Sequence, residues 1–162
     1  PLQLAVATAS IANGGFVLRP TLLRKETVER TQKGLTRANA TSSRPLNLSS
    51  KNLDTLRTAM EDVMRAGGTA ARAGAGASYT IAGKTGTAQV FSLRGGEYDE
   101  DSIQKRLQDH ALFVAYAPAE DPSIALAVVV ENGGGGGSVA APIARKVLDA
   151  YFKSTLLGAP SE

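Results

Sequence analysis

One short segment of the chain combines the residue types needed to bind an anionic ligand. Lys84, Thr85, Gly86 and Thr87 follow one another, so a positive charge and two hydroxyl groups lie within four positions. Ammonium and hydroxyl groups donate hydrogen bonds to anions, and a strand glycine lets a ligand backbone lie close. The segment is therefore predicted to form an anion-binding edge. The alternative is a Thr-rich strand that contains Lys-Thr-Gly by chance, because threonine is a good strand former.

The alternation of side chains along a strand limits how these residues can serve one ligand. Lys84 and Gly86 fall on one face, and Thr85 and Thr87 fall on the other. Both faces can reach the same ligand only where the strand twists or lies at the edge of a sheet. We therefore predict that residues 84–89 form a strand on the open side of a cleft, hydrogen-bonded to a strand at 111–117.

The strands around this segment can be placed from composition and turn residues. Three strands are predicted, at 79–91, 111–117 and 124–130. Asp121-Pro122 is typical of a turn, so the second and third strands are expected to form an antiparallel hairpin. A charged insertion at 94–109 separates the first strand from this hairpin.

Helices are predicted on both sides of the strand region, at 2–13, 53–65 and 142–152. The first is stopped by Asn13-Gly14-Gly15, the second has Ser49 and Ser50 as candidate N-caps, and Pro142 opens the third. The remaining assignments are extended chain at 16–18 and 21–28, a polar loop at 31–46 and an Ala/Gly-rich mobile connector at 70–77. The predicted fold class is α/β of the α+β kind, with helices covering an antiparallel sheet.

Composition excludes several classes of function. The chain has 162 residues, of which 43% are hydrophobic, and a net charge of +3 without a long basic run. A nucleic-acid-binding face with stacking aromatics is not visible, so no nucleic-acid partner is predicted. The absence of cysteine excludes disulfides and thiol catalysis, and no His/Asp/Glu cluster indicates a metal site. The longest apolar run, 124–130, is far too short to span a bilayer.

The Lys-Thr-Gly segment and several flanking motifs resemble one enzyme family. Lys-Thr-Gly is the third signature of the serine penicillin-binding proteins and class A β-lactamases, and the extended sequence KTGTAQV at 84–90 is similar to class B penicillin-binding proteins. Further similar segments are PLQLA at 1–5, IANGG at 11–15, Arg19-Pro20, DHALFVAYAP at 109–118, AVVVENGG at 127–134 and AAPIA at 140–144. The Glu-Asn-Gly-Gly element and the charged insertion most resemble the elongation-type members.

The resemblance implies a role for each residue of the signature. Lys84 would hold the carboxylate of the substrate or of a β-lactam and tune proton transfer near the nucleophile. The hydroxyls of Thr85 and Thr87 would donate hydrogen bonds to that carboxylate. The backbone N–H of Thr87, after Gly86, would form half of an oxyanion hole, where a fixed donor meets the charge that develops on a carbonyl oxygen.

The resemblance also implies the reaction and its setting. The parent protein would be a serine-type D,D-transpeptidase that cross-links peptidoglycan stem peptides ending in D-Ala-D-Ala and binds β-lactams. It would act on the periplasmic side of the inner membrane, with membrane partners of an elongation complex and with no cofactor. The alternative is a penicillin-recognising or partner-binding module that kept the fold and lost catalysis.

The two serine motifs of the family, Ser-x-x-Lys and Ser-x-Asn, are not expected within this chain. It begins without methionine or a leader, so we expect residues 1–162 to be the C-terminal half of a transpeptidase domain, with the nucleophile-bearing half upstream. Ser102-Ile103-Gln104-Lys105 matches Ser-x-x-Lys but follows the Lys-Thr-Gly strand instead of preceding it. Ser50-Lys51-Asn52 matches Ser-x-Asn but lies where helix capping explains it. The isolated chain is therefore predicted to be inactive.

Two further features have structural interpretations. The run from Gly135 to Ala140 satisfies G-x-G-x-x-A, yet no second strand with an acidic ribose ligand follows it, so a flexible hairpin-to-helix loop is the preferred interpretation over a dinucleotide site. His110, the single histidine, is interpreted as a residue at the entry of a strand, because it has no partner nucleophile.

Overall fold

The fold was obtained as a computed structural model, which describes residues 1–20, 44–90 and 108–156. The predicted extended segment 21–28 lies outside the described residues, as do most of the loop 31–46 and most of the insertion 94–109. Helix α1 spans Leu2–Ala12 and ends at a glycine pair, as predicted. Gly14 and Gly15 adopt φ angles of 91° and 94°, a left-handed conformation that glycine adopts without steric cost.

A two-stranded ribbon follows α1. Strand β1, Phe16–Val17, pairs antiparallel with β2, Arg44–Pro45. Helix α2 spans Ser50–Asp62, and its N-cap Ser49 accepts a hydrogen bond from the Asn52 N–H at 3.2 Å. The capping prediction is therefore confirmed for Ser49, and the helix begins three residues earlier than its apolar periodicity indicated.

The connector predicted at 70–77 contains a short helix, α3, Ala71–Gly74. Arg145 donates hydrogen bonds to the carbonyls of Ala73 and Ala75, each at 2.9 Å. Arg145 lies some seventy positions away in the sequence, so the local Ala/Gly composition could not predict that this helix would be held in place.

The main sheet has three antiparallel strands in the order β3-β4-β5, namely Ala82–Ala88, His110–Ala117 and Ile124–Val130. Lys84 pairs with Val114 and Thr87 pairs with Ala111. Both the predicted hairpin and the predicted pairing of the Lys-Thr-Gly strand are confirmed. Strand β3 is shorter than predicted at both ends, since it begins at Ala82 and ends at Ala88, so Gln89 of the predicted segment 84–89 lies just beyond it.

Helices cover both faces of this sheet. On one face, Phe113 and its alternate neighbours in β4 pack with Leu148 and Ala144 of helix α4, Ala141–Leu156. On the opposite face, Tyr116 packs with Ala12 of α1 and Met60 of α2. The strand alternation that separates Phe113 from Tyr116 explains why β4 contributes to two distinct cores. The predicted α+β architecture is confirmed.

Helix α4 does not begin directly from the loop after β5. A π-helical turn, Gly136–Ala140, precedes it, and Pro142 lies in the first turn of α4. Within the described ranges, no helix has both the length and the apolar character that crossing a membrane requires.

Candidate functional site

The Lys-Thr-Gly signature occupies the outer strand of the three-stranded sheet. Strand β3 pairs with β4 along one side, and no described strand pairs with its other side. Lys84 and Thr87 are exposed, while Thr85 and Gly86 are half-buried. The strand therefore presents both of its faces at an open edge. This is the position in which side chains on opposite faces of a strand can reach the same ligand.

The open edge also exposes backbone groups of the signature. In an antiparallel ladder, consecutive residues alternate between bonding the partner strand and pointing away from it. The carbonyl of Thr85 accepts a hydrogen bond of 2.6 Å from Nζ of Lys84, so it is accessible from the open side. Thr87 lies two residues further along and has the same orientation, which directs its N–H group to the open edge.

Lys84 is available to bind an anion. No carboxylate of the described residues lies within ion-pair distance of its ammonium group, and its hydrogen bond goes to the neighbouring carbonyl of Thr85. An ammonium group beside backbone N–H groups that face away from β4 favours carboxylate ligands on the open side of β3.

The two threonines of the signature differ in their surroundings. Oγ1 of Thr85 lies 3.1 Å from Oγ1 of Thr69, a residue between α2 and α3. Thr87 is exposed, and no described residue contacts its hydroxyl by a hydrogen bond. The sequence did not reveal Thr69, because it follows Gly67-Gly68 in the turn after α2 and carries no periodic or motif signal.

The glycine run packs against the signature strand instead of forming a free loop. A Cβ atom on Gly136 would lie 2.4 Å from the carbonyl oxygen of Leu112 and 2.5 Å from that of Gly86. Only a glycine permits this approach, so the π-helical turn rests directly on the backbone of β3 and β4. The prediction of a flexible loop is therefore wrong, because tertiary contacts that the sequence does not reveal hold this run against the sheet.

A polar cluster behind the site fixes the chain where it enters β3. Tyr79 donates a hydrogen bond of 2.7 Å to Asp149, which also accepts one of 2.9 Å from Nε of Arg145. Burial, followed by the hydrogen bond to Asp149, raises the pKa of Tyr79 above its usual value. The hydrogen bonds from Arg145 and Tyr79 hold the pKa of Asp149 below its usual value. The cluster ties α4 to α3 and to the chain just before β3.

The other candidate residues that the structure describes lie where structural roles account for them. Nδ1 of His110 accepts a hydrogen bond of 2.9 Å from the Asn132 N–H, which fits a strand-entry role. Ser50 is the first residue of α2 and is exposed. Ser102 and Lys105 lie outside the described residues. No group of three or more metal-ligating side chains occurs in the parts of the chain that the structure covers.

An apolar groove lies apart from the signature strand. It has a volume of about 780 Å³ and is bounded by α1, the two-stranded ribbon and α2. Several large apolar side chains near it are exposed, among them Leu2 at 63% and Leu18 at 40%. Its described lining is mostly apolar, and its polar members are Gln3, Ser10, Arg19 and Arg44.

Comparison with known proteins places the chain among transpeptidases. The family model "Penicillin binding protein transpeptidase domain" matches residues 1–149. The chain is 39% identical over 161 residues to peptidoglycan D,D-transpeptidase MrdA of Haemophilus influenzae, covering 96% of this chain and 24% of the relative. It is 44% identical over 154 residues to the MrdA protein of Acinetobacter baumannii, covering 93% and 22%. The chain thus spans about a quarter of the length of these relatives.

Solved structures with the same fold are also similar in sequence. Pseudomonas aeruginosa PBP2 in complex with WCK 5153 superposes with a TM-score of 0.70 at 40% identity, covering 93% of this chain and 29% of that one. PBP2 in its complex with MreC from Helicobacter pylori gives a TM-score of 0.70 at 26% identity, covering 91% and 24%. The penicillin G acyl-enzyme of Mycobacterium tuberculosis penicillin-binding protein A gives 0.60 at 29% identity, covering 91% and 31%.

Proposed function

The chain belongs to the penicillin-binding protein transpeptidase family, and we propose that it forms one wall of the active site of a serine-type peptidoglycan D,D-transpeptidase. The observation that carries this proposal is the open edge of β3, where Lys84, Thr85, Gly86 and Thr87 present an ammonium group, hydroxyls and a free N–H together. The relatives named peptidoglycan D,D-transpeptidase support the reaction class.

The backbone of Thr87 has the orientation that acyl transfer needs. When a serine oxygen attacks the carbonyl carbon of the D-Ala-D-Ala bond, the carbonyl electrons move to oxygen and leave it negatively charged. A donor fixed in a strand stabilises that charge without reorganising, and one such donor contributes about 3 kcal/mol. Gly86 keeps the approach to this donor open, because it places no side chain beside it.

Lys84 and the two threonines would bind the carboxylate of the ligand. The stem peptide ends in a carboxylate and penicillins carry one, so both ligand types offer the same acceptor to this edge. Charge-assisted hydrogen bonds are shorter and stronger than neutral ones. The acyl-enzyme with penicillin G known for the Mycobacterium tuberculosis homologue supports β-lactams as ligands of this family member too.

The nucleophile is proposed to lie in another part of a longer protein. Residues 1–162 would then be the C-terminal half of the transpeptidase domain, which agrees with coverage of about a quarter of the relatives. The apolar groove between α1 and α2 would pack against the remaining part, since exposed apolar surface of this extent favours burial. The complex between PBP2 and MreC from Helicobacter pylori supports a protein partner, which we propose belongs to an elongation complex. The relatives named peptidoglycan D,D-transpeptidase support a proposed location on the periplasmic side of the inner membrane.

The proposal is tested by labelling the full-length protein that contains this chain with a fluorescent penicillin. Lys84→Ala is expected to lower the second-order rate constant of acylation by at least tenfold, because it removes a charge-assisted contact worth about 1.5–3 kcal/mol. Lys146→Ala, at an exposed position of α4, is the matched control and should leave acylation unchanged. Absence of labelling in the unsubstituted protein would contradict transpeptidase function and would favour a non-catalytic module.

A further inference from the structure

The hydroxyl group of Thr69 contacts the signature strand from a separate element. Its Oγ1 lies 3.1 Å from Oγ1 of Thr85, sixteen residues away, and either hydroxyl can be the donor. Thr69 lies in the turn between α2 and α3, beyond the three residues that define the signature. The contact therefore connects a proposed ligand-binding hydroxyl to a second polar group.

The backbone around Thr69 is held on two sides. The Gly68 N–H donates to the Arg65 carbonyl and the Ala70 N–H donates to the Val63 carbonyl, each at 2.9 Å. On the other side, a Cβ atom on Gly137 would lie only 2.2 Å from the carbonyl oxygen of Thr69. The turn is thus packed between the end of α2 and the π-helical turn. A hydroxyl on such a support is positioned before any ligand arrives.

Because a hydroxyl group has only one hydrogen, the ligand determines which of the two threonines donates to the other. A threonine hydroxyl has one hydrogen to donate and two lone pairs that accept, whereas a carboxylate only accepts. When Thr85 gives its hydrogen to the ligand carboxylate, it has none left for Thr69. The contact between the two threonines then persists only if Thr69 is the donor.

We infer that Thr69 is a positioning residue for carboxylate recognition: its hydroxyl donates to Oγ1 of Thr85 and thereby directs the Thr85 hydrogen towards the carboxylate of the substrate or β-lactam. This inference rests on the proposed function. The resulting chain runs from Thr69 to Thr85 to the carboxylate, and hydrogen bonds in such chains polarise and strengthen one another. Thr69 is exposed, so water can replace part of its contribution and the effect is moderate.

The inference is tested by acylation kinetics of the full-length protein with a β-lactam that carries a free carboxylate. Thr69→Val removes the donor at nearly constant shape and is expected to weaken non-covalent binding of the β-lactam about fivefold, the usual effect of one lost hydrogen bond. The first-order rate of acylation from the bound state should change little, because the carboxylate contact exists before and during the reaction. Thr69→Ser keeps the donor and should restore binding to within about twofold of the unsubstituted protein.

A double substitution separates a positioning role from a merely structural one. If Thr69 acts through the Thr85 hydroxyl, Thr69→Val should cause no further loss in a Thr85→Val background. Thr55→Val in α2, which removes a hydroxyl bonded to the Lys51 carbonyl, is the matched control and should not affect binding.

Three results would overturn the inference alone: unchanged binding in Thr69→Val, a Ser variant as weak as the Val variant, or an equal loss in both backgrounds. Absence of acylation in the unsubstituted full-length protein would overturn the proposed function together with this inference.

Discussion

At the scale of single residues, Thr87 combines two groups that can act on a ligand in different ways. The alternation of the antiparallel ladder directs its backbone N–H to the open edge of β3, as it does for the carbonyl of Thr85, and the residue itself is exposed. The N–H would meet a charge that exists only during the reaction, whereas the hydroxyl would bind a carboxylate that is charged throughout. Substitutions can separate the two groups, because Ala keeps the N–H and Pro removes it.

The first prediction concerns these two groups in the full-length protein. Thr87→Ala is expected to slow acylation by a β-lactam about fivefold, since it removes one hydroxyl contact of about 1 kcal/mol. Thr87→Pro is expected to slow acylation by at least about 100-fold, since it deletes the donor to the oxyanion and also disturbs the strand. Acylation rates of both variants check this. A Thr87→Ala variant as slow as Lys84→Ala would show that the hydroxyl matters more than the backbone donor.

The second prediction concerns the glycine that touches the signature strand. A Cβ atom on Gly136 would collide with the backbone oxygens of Leu112 and Gly86, whereas one on Gly135 would meet only the Ser138 hydroxyl at 2.8 Å. Gly136→Ala is therefore expected to destabilise the protein by about 1–3 kcal/mol and to slow acylation, because Gly86 must move. Gly135→Ala, whose neighbour can rotate away, is the control. Thermal unfolding and acylation rates of both variants check this prediction. Equal behaviour of the two variants would show that the contact of Gly136 with Gly86 does not matter.

At the scale of elements, the entry of β3 depends on contacts with α4. Arg145 bonds the carbonyls of Ala73 and Ala75, and Asp149 bonds both Arg145 and Tyr79. Phe152 adds a ring contact to Tyr79, with centroids 4.3 Å apart. Helix α4 therefore fixes α3 and the chain just before β3 through side chains from three of its turns. A change in α4 is expected to reach the signature strand through these contacts.

The third prediction follows from the lowered pKa of Asp149, whose causes are the hydrogen bonds from Arg145 and then from Tyr79. A carboxyl whose pKa is lower in the folded state stabilises the fold above its unfolded pKa, and this contribution is lost as the pH falls through the folded value. Asp149→Asn should therefore lower the melting temperature at pH 7, and the difference from the unsubstituted protein should shrink below about pH 4.

The size of this effect is limited by solvent. The Asp149 side chain is 37% exposed, so the loss at pH 7 should be about 1 kcal/mol or less. Asp54→Asn is the control, because no described residue forms an ion pair with this carboxylate of α2, and its melting temperature at pH 7 should stay close to that of the unsubstituted protein. A difference between Asp149→Asn and the unsubstituted protein that stays constant down to pH 3 would contradict the assigned role.

At the scale of the whole molecule, the described part of the chain offers one wall of a site and an apolar surface. The open edge of β3 provides binding groups, while the groove along α1 leaves apolar side chains such as Leu2 and Leu18 exposed. Of the serines that match nucleophile patterns, Ser50 is the exposed first residue of α2, and Ser102 lies outside the described residues. Under the proposed function, the nucleophile for acyl transfer would come from another part of a longer protein.

The fourth prediction concerns the isolated chain. Incubated with a fluorescent penicillin, residues 1–162 should neither hydrolyse it nor gain a covalent adduct detectable by mass spectrometry. Circular dichroism should first establish that the chain is folded, so that the absence of an adduct reports on chemistry. The full-length protein, labelled in parallel, is the positive control. A stable adduct on Ser102 would show that this serine had been wrongly rejected as a nucleophile.

Local patterns in the sequence determined most of the elements and the identity of the candidate site. The Lys-Thr-Gly signature, the hairpin at Asp121-Pro122 and the cap at Ser49 depend on residues close together along the chain, where spacing and turn chemistry act directly. Pairing of β3 with β4 was predictable because one insertion separates them. The exact limits of β3 and α2 were not, since element ends depend on packing.

Tertiary structure alone decided the contacts between elements distant in sequence. The bond between Thr69 and Thr85 joins two elements whose approach depends on how α2 and the π-helical turn pack. The ordering of α3 by Arg145 and the close packing of Gly136 on Gly86 have the same origin. No repeat or motif in the sequence indicates these contacts. Their geometry depends on surfaces that meet only after the sheet and the helices have assembled.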